Sequence, residues 1–304
     1  MQQLISLFLS WIMMFLSFLG FNFGGGTNPA PAPDTFVPVA GMEQTLAYGT
    51  ADTQKLDLYL PYGKTSAGLI LFLHGGAWVT GSKESYTYDA KKWQTQGYAT
   101  ATMNYRFLGD GVLFSEQLAD ITAALNAIVK TAAYNGVTLT KAAFIGMSAG
   151  GHLALLYAYT KAAESPLPPV AVISSSAPTD FTDSAFIRNS DMVQSVITNI
   201  GLDPNLVATA LDSGLAEAFM PTLRNISPAK QVTSSTVPTL MAHGTADTIV
   251  PYSNAQRLDA ALTAAGVYHN FVTFQNAGHA LVGDPAATAL FQSLTAQYLA
   301  AFLN

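Results

Sequence analysis

The stretch at residues 144–151, Phe-Ile-Gly-Met-Ser-Ala-Gly-Gly, constrains the fold of this chain more than any other stretch. An apolar run leads into Gly-x-Ser-x-Gly, and small residues then lead into the apolar residues 153–156. This order predicts a buried strand that turns sharply into a helix and presents Ser148 at the turn. Gly146 and Gly150 suit such a turn, because a β-carbon at either position would crowd the close approach of strand and helix. Ser148 is therefore a candidate nucleophile, which needs a base, an acid and amide donors from the rest of the chain.

Composition narrows the class of protein. Half of the 304 residues are hydrophobic, so the chain can bury a large core as one big domain or two small ones. Charged residues are only 11%, well below the roughly 25% of an ordinary soluble domain, which suits an exported protein. A net charge of −6 without any cluster of Lys or Arg argues against a nucleic-acid partner. Because there is no cysteine, a disulfide framework, thiolate metal sites and a cysteine nucleophile are excluded.

The amino-terminal region divides into an apolar segment and a linker. Residues 4–23 are apolar, carry no charge and are about long enough to span a bilayer. Such an apolar segment is typical of an export signal, although the basic n-region of a signal peptide is missing. We interpret it first as an export signal of a secreted or periplasmic protein and second as an uncleaved membrane anchor. A buried core helix is the third alternative. Residues 24–41 are a linker rich in Gly and Pro, and we expect one folded domain over residues 42–304.

Hydrophobic patterning in that domain predicts strands alternating with helices. Residues 54–61 alternate polar and apolar side chains, as a half-buried antiparallel strand does, whereas residues 67–73 form a continuous apolar run typical of a strand covered on both faces. Further strands are predicted at 98–105, 170–174, 239–243 and 270–274, and helices at 118–129 and 286–302. We therefore expect an α/β fold with a mostly parallel sheet, whose ligands and reactive groups collect at the carboxyl ends of the strands. Residues 181–228 lack a convincing strand and are interpreted as a helical cap or lid insertion beside the site.

The base that would activate Ser148 is sought among five histidines, because the pKa of histidine lies close to working pH. His279 follows the last predicted strand on a loop at its carboxyl edge, which makes it the best candidate. The other four histidines are assigned structural positions: His74 and His243 as braces of loops, His152 one helical turn beyond Ser148 and pointing away from it, and His269 near the surface.

Besides the serine and the histidine, an acidic residue is needed to orient the imidazole and stabilise its protonated form. Asp247 lies just past the strand at residues 239–243, on the same edge of the sheet as Ser148 and His279. Asp180 is the competitor, since it also follows a strand, and Asp284 fits worse because it comes after the histidine. A helix cap or an Asx turn is the structural alternative for either acid. The order Ser148, Asp247, His279 is that of enzymes with a nucleophile elbow.

Backbone amides must also stabilise the negative charge that develops on the substrate oxygen. The turn itself would place the amide of Ala149. A second donor should come from the loop after an earlier central strand, where Gly75, Gly76 and Ala77 lie. Adjacent glycines let a backbone turn its amides toward a ligand without obstruction by side chains. An ordinary glycine turn is the structural alternative.

These residues together resemble the α/β-hydrolase superfamily, in its esterase and lipase branch, and are most similar to hormone-sensitive-lipase-like enzymes and BD-FAE feruloyl-esterase-like carboxylesterases. The resemblance rests on motifs between about residues 50 and 280: Asp-Leu-Tyr-Leu-Pro at 57–61, His-Gly-Gly-Ala-Trp at 74–78, Asn-Tyr-Arg at 104–106, the stretch 146–151, residues 243–247 with Pro251, and Gly278-His279. It implies a triad of Ser148, Asp247 and His279, and an oxyanion hole formed by Gly76, Ala77 and Ala149. Ala77 departs from the third glycine of many lipase-like members, which implies a narrower acyl pocket.

The resemblance implies a two-step acyl transfer through an acyl-enzyme, without metal or cofactor. It implies a substrate that is a small-molecule ester or an ester linked to a polysaccharide. Attachment of the protein to a membrane is a separate possibility, which the apolar residues 4–23 leave open. Amide cleavage, as in arylformamidase-like or peptidase-like serine hydrolases, is the competing reaction. From other classes, a catalytically silent hydrolase-fold binding protein and a membrane-tethered structural protein are the alternatives. Trp78, Phe107, Phe114 and the segment before Pro228 are candidates for shaping the pocket, although core or lid packing is the simpler role for each.

Overall fold

The computed structural model describes residues 42–303. The export signal or anchor predicted at residues 4–23 and the linker at 24–41 lie outside the described residues. Within residues 42–303, no helix combines the length and the apolar character that crossing a bilayer requires.

An eight-stranded sheet forms the centre of the described chain. Its strands are β1 (Glu43–Ala47), β2 (Lys55–Tyr59), β3 (Ser66–Leu73), β4 (Ala99–Met103), β5 (Thr138–Met147), β6 (Pro169–Ser175), β7 (Thr239–Gly244) and β8 (His269–Phe274). They lie in the order β1-β2-β4-β3-β5-β6-β7-β8. β2 is antiparallel to β1 and β4, as the alternation at residues 54–61 predicted, and the remaining pairs are parallel. The predicted α/β fold with a mostly parallel sheet is confirmed.

Helices connect the parallel strands and cover both faces of the sheet. They are α1 (Thr87–Thr95), α2 (Phe114–Tyr134), α3 (Ala149–Thr160), α4 (Ser184–Asn189), α5 (Asp191–Asn199), α6 (Pro204–Ser213), α7 (Met220–Asn225), α8 (Tyr252–Ala264) and α9 (Pro285–Tyr298). The helix predicted at 286–302 ends earlier than expected, because residues Leu299–Leu303 widen into a π-helical turn.

The continuous apolar run of β3 has the burial that its sequence predicts. Leu69, Leu71 and Leu73 belong to the core on one face of the sheet, where α2 and α3 also pack. Ile70 and Phe72 belong to the core on the other face, with residues of α1 and α9. Successive side chains of a strand point to opposite faces, so an uninterrupted apolar run is required where both faces are covered.

The segment between β6 and β7 is the predicted helical insertion and holds α4 to α7. Short polar residues begin its helices: the side chain of Asp183 caps α4, Ser190 caps α5 and Asp203 caps α6. The apolar sides of α4 and α5 join the core on the α3 face, through Phe186, Ile187, Val193, Val196 and Ile197. The insertion therefore packs on the sheet domain and has no core of its own in the described structure.

Candidate active site

The sharp turn at Ser148 connects β5 directly to α3. Ser148 has φ 54° and ψ −123°, a left-handed φ that is uncommon outside glycine and that costs on the order of 1–3 kcal/mol. A β-carbon on Gly146 would lie 2.4 Å from the carbonyl carbon of Gly150, and one on Gly150 would lie 2.0 Å from the carbonyl oxygen of Leu73. Both glycines are therefore required by close backbone approach, and together they hold Ser148 at the carboxyl end of the sheet.

Ser148, His279 and Asp247 form one continuous chain of hydrogen bonds. The Ser148 Oγ lies 2.9 Å from the His279 Nε2, and the His279 Nδ1 lies 2.7 Å from the Asp247 Oδ2. The three residues are only 7%, 5% and 8% exposed, so these contacts are largely shielded from water. Because Asp247 accepts at Nδ1, that nitrogen carries the hydrogen, and Nε2 is left to accept from the serine hydroxyl.

The Asp247 carboxylate is held on every side by donors. Its Oδ1 accepts from the amides of Ile249 at 2.9 Å and Val250 at 3.0 Å, and its Oδ2 also lies 3.1 Å from the His243 Nε2. Burial alone would raise the pKa of Asp247, but the contacts from His243 and His279 outweigh burial and hold the pKa of this carboxyl below its ordinary value. Asp247 is consequently ionised at neutral pH, the state that can orient and stabilise the imidazole.

The competing acids have structural roles. The Asp180 carboxylate is fully buried and pairs with Lys230 at 3.0 Å, and Arg257 lies 3.5 Å from it, so it ties the start of the insertion to the sheet domain. Asp284 caps α9 by accepting from the amide of Ala287 at 3.0 Å. Neither carboxylate is paired with His279, and Asp247 alone of the three has that contact.

The other histidines contact backbone carbonyls or neighbouring side chains. His74 stacks on Tyr105 with ring centroids 4.4 Å apart, which agrees with the predicted brace of its loop. His269 is partly exposed and contacts Asp259. His243 contacts the carbonyl of Val250 at 2.8 Å, as a brace would, but its contact with Asp247 was missed. The sequence signal for that contact was the four-residue spacing between His243 and Asp247 at the end of a strand.

Ser176 is a second residue that sequence reasoning missed. It follows β6 with φ 49°, is fully buried, and donates from its Oγ to the carbonyl oxygen of His279 at 2.7 Å. The loop that carries His279 is therefore anchored to the end of a neighbouring strand, 103 residues away in sequence. Nothing local in the sequence around Ser176 indicates this contact.

The loop after β3 lies beside the serine. A β-carbon on Gly75 would lie 3.5 Å from the Cβ of Ser148, which shows how closely the two segments approach. Gly76 has φ 126° and Ala77 has φ 51°, and the carbonyl of Gly76 accepts from the amides of Val79 and Thr80 at 3.0 Å. Among the turn and loop hydrogen bonds of residues 42–303, none runs from the amide of Gly76, Ala77 or Ala149 to a carbonyl. These are the three amides that the sequence singled out.

The aromatic candidates for pocket residues lie mainly in the core. Trp78 is fully buried, and its ring packs edge-on against Phe114 with centroids 5.5 Å apart. Phe107 is half-buried and contacts His74 edge-on. Core packing, the simpler of the two roles expected for Trp78 and Phe114, is the one that the structure shows.

In the part of the chain that the structure describes, no three His, Asp or Glu side chains converge as metal ligands would.

Comparisons with known proteins identify a matching family and several relatives. The BD-FAE family model matches residues 56–262, more than half of the chain. The non-reducing polyketide synthase atr1 of Stereocaulon alpinum is 32% identical over 151 residues, which are 45% of this chain and 6% of the synthase. Esterase LipC of Mycobacterium tuberculosis is 25% identical and covers 90% of this chain and 70% of LipC. The chain spans 6%, 13% and 57% of the lengths of the first three curated relatives that it matches.

Solved structures share the fold. A truncated form of a carbohydrate esterase from gut microbiota has a TM-score of 0.66 at 19% identity, and the match covers 88% of this chain and 99% of that one. The described part of the chain thus has the α/β-hydrolase fold. With the family model spanning most of the sheet domain, the chain belongs to the BD-FAE family, in the esterase branch of the α/β-hydrolase superfamily.

Proposed function

We propose that this chain is a carboxylic-ester hydrolase in which Ser148 is the nucleophile, His279 the general base and Asp247 the acid that orients it. The observation that carries the proposal is the unbroken contact from Ser148 Oγ to His279 Nε2, and from His279 Nδ1 to Asp247 Oδ2, at 2.9 and 2.7 Å. A serine hydroxyl becomes a nucleophile when an adjacent base takes its proton, and the base in turn needs an orienting group. The family membership and the esterase LipC support the same reaction.

The first half of the reaction forms an acyl-enzyme. His279 Nε2 takes the hydroxyl proton as the Ser148 Oγ attacks the ester carbonyl carbon, and the carbonyl oxygen becomes negatively charged. The amides of Gly76, Ala77 and Ala149 stabilise that charge, and one such donor is typically worth 10²- to 10³-fold in kcat. The imidazolium of His279, stabilised by the Asp247 carboxylate, then gives its proton to the leaving alkoxide. The alcohol departs and the acyl group remains on Ser148.

The second half regenerates the serine. A water molecule takes the place of the alcohol, and His279 Nε2 removes its proton as its oxygen attacks the acyl carbon. The same amides hold the second oxyanion. Collapse of this intermediate releases the carboxylic acid and returns the proton from His279 to the Ser148 Oγ. Every proton in both halves passes through His279, so the triad itself supplies the acid and the base.

The substrate class that we propose is a small-molecule ester or an ester carried on a polysaccharide. The described residues provide the reacting groups for either, and the solved structure of a carbohydrate esterase with the same fold supports including the second. Export through residues 4–23, or attachment to a membrane by them, is proposed as the route by which the domain meets such a substrate.

A panel of p-nitrophenyl esters of increasing acyl length, with feruloyl and acetylated xylan substrates, tests the proposal. The full chain is compared with Ser148→Ala. We expect the parent protein to hydrolyse at least one ester, and Ser148→Ala to lose about 10⁴-fold or more in kcat, since the oxyanion amides alone leave only residual catalysis. Equal activity of the two proteins, or no hydrolysis of any ester by the parent, would reject it.

A further inference from the structure

The indole of Trp78 makes a buried hydrogen bond to the helix that follows Ser148. Its Nε1 donates to the His152 Nδ1 at 3.1 Å, and the His152 Nε2 lies 2.8 Å from the carbonyl oxygen of Ile226. Because Nδ1 accepts, Nε2 must carry the hydrogen and donate to that carbonyl. Burial lowers the pKa of His152 to about 4, against the bond to Ile226, so the imidazole is neutral at neutral pH and keeps both bonds.

The loop that holds Trp78 is the one that carries the amides of Gly76 and Ala77. Ala77 and Trp78 both have left-handed backbones, with φ 51° and 61°. Residues other than glycine keep such conformations only where their surroundings determine them. The carbonyl of Trp78 accepts from the amide of Leu108 at 2.9 Å and from the Gln117 Nε2 at 3.3 Å. The bond from its indole to His152 is a third attachment, and it leads to the nucleophile helix.

His152 stands one helical turn after Ser148, and its amide donates to the Ser148 carbonyl at 2.9 Å. Its ring is fully buried among aromatic side chains, edge-on to Trp78 with centroids 5.2 Å apart and to Phe181 with centroids 5.4 Å apart. Ile226 directly follows α7, the last helix of the insertion. One imidazole therefore connects three segments: the helix of the nucleophile, the loop of the oxyanion amides and the end of the insertion.

We infer that His152 is a positioning residue that holds the Gly76–Ala77 amides at a set distance from Ser148 and ties that spacing to the carboxyl end of the insertion. The inference rests on the proposed ester hydrolysis, because the amides have this task only in acyl transfer. His152 touches no reacting atom. It acts through the Trp78 indole on one side and through the Ile226 carbonyl on the other.

Two variants of His152 separate its hydrogen bonds from its packing. His152→Phe keeps an aromatic ring among Trp78 and Phe181 but neither accepts nor donates. His152→Gln offers an amide that can accept from the indole and donate to the carbonyl. Tyr298→Phe is the matched control, because it removes a buried hydroxyl that contacts the Thr239 carbonyl and the Asn270 side chain, at the amino ends of β7 and β8.

The readouts are kcat and KM for a p-nitrophenyl ester, with folded active sites counted by titration with an organophosphate. Oxyanion donors act mainly in the transition state, so we expect His152→Phe to lower kcat about 10- to 100-fold per titrated site with little change in KM. His152→Gln should recover much of that loss, and Tyr298→Phe should keep the parent kcat per site. A purely structural role would lower the number of sites and leave kcat per site unchanged.

Trp78→Phe removes the same bond from its other end and keeps the inference testable if His152→Phe does not accumulate as folded protein. The double variant should lose little more kcat than the larger single loss, since one bond is removed in both cases. Additive losses of kcat in the double variant would overturn the inference and leave the proposed function standing. So would a kcat per site of His152→Phe or of Trp78→Phe equal to that of the parent. A parent protein that neither titrates nor hydrolyses esters would overturn the proposed function, and the inference with it.

Discussion

Asp247 is distinguished from Asp180, the competing acid, because one of the four donors around its carboxylate is the His279 imidazole. The four donors are the His279 Nδ1 at 2.7 Å, the His243 Nε2 at 3.1 Å and the amides of Ile249 and Val250 at 2.9 and 3.0 Å. An asparagine at this position could keep the shape of the site but would present a neutral group to the imidazole. The neutral side chain neither fixes the required tautomer nor stabilises the imidazolium.

Asp247→Asn should therefore lower kcat by about 10³- to 10⁴-fold with the protein still folded. His279→Ala should lose at least as much activity as Asp247→Ala, because every proton transferred in the proposed reaction passes through the imidazole.

Asp180→Asn should keep its kcat per titrated site and lose about 1–3 kcal/mol of stability, since it weakens the buried pairing with Lys230. Steady-state kinetics and urea unfolding check these three expectations, and an inactive Asp180→Asn beside a fully active Asp247→Asn would reassign the acid.

The sequence singled out Ser148, Asp247 and His279, which the structure brings into contact, but not the residues that hold them. Ser148 is marked by its glycines and His279 by its place after the last strand, and both signals are local. Ser176 reaches the His279 carbonyl across 103 residues, and Trp78 reaches His152 across 74. Such contacts depend on which strands become neighbours and on how loops turn above them. Hydrophobic patterning and secondary-structure propensity describe neither the strand neighbours nor the loop conformations. The residues that hold the site were therefore identified only in the structure.

At the scale of elements, the turn from β5 to α3 depends on how closely α3 approaches β3. A β-carbon on Gly150 would lie 2.0 Å from the Leu73 carbonyl oxygen, where only backbone could move away. A β-carbon on Gly151 would lie 3.0 Å from the Ala177 Cβ and 3.0 Å from the Gly146 carbonyl oxygen, so a small shift suffices. Two adjacent glycines of one helix thus differ in the space that each has.

Gly150→Ala should accordingly cost more than about 3 kcal/mol of unfolding free energy, and Gly151→Ala about 1 kcal/mol. Both replacements gain the same helix propensity, about 1 kcal/mol, so the difference between them reports the close approach. Urea unfolding of the two variants measures it. Equal stability of Gly150→Ala and Gly151→Ala would show that α3 does not approach β3 as closely as described.

The sequence predicted strands correctly where both faces of the strand are buried. It predicted that a helix is present more accurately than where the helix begins and ends. Residues 67–73 were recognisable as a strand because both faces of β3 are covered, which leaves no polar position. The helix expected at 118–129 runs over Phe114–Tyr134. The residues at 115–117 and 130–133, near its two ends, are polar or small, and hydrophobic periodicity does not register them although they continue the helix.

At the scale of the whole molecule, a buried carboxyl in α1 makes stability depend on pH. Burial raises the pKa of Asp89 to about 6, against the opposing effect of Lys92. Between about pH 4 and pH 6 the folded protein holds a proton that the unfolded chain has released, so this carboxyl destabilises the fold progressively as pH rises through that window. His74 and His152, whose pKa burial lowers to about 4, contribute the opposite trend, because only the unfolded chain protonates them between about pH 6.5 and pH 4.

Asp89→Asn isolates the carboxyl, because the histidine contributions are common to both proteins and cancel in the difference. The free energy of unfolding of Asp89→Asn minus that of the parent should rise by about 2 kcal/mol between pH 4 and pH 7. Urea unfolding at four or five pH values measures the rise. A difference that stays constant over this range would show that Asp89 titrates alike in the folded and unfolded states.

The proposed function depends on the Ser148 Oγ being the atom that becomes acylated. The most direct measurement is mass spectrometry of the full chain after reaction with an organophosphate, first of the intact protein and then of its peptides. We predict one adduct per chain, on the peptide that holds Ser148, which is absent from Ser148→Ala and forms much more slowly in His279→Ala. An adduct on a different residue, or ester hydrolysis by a protein that acquires no adduct, would contradict it.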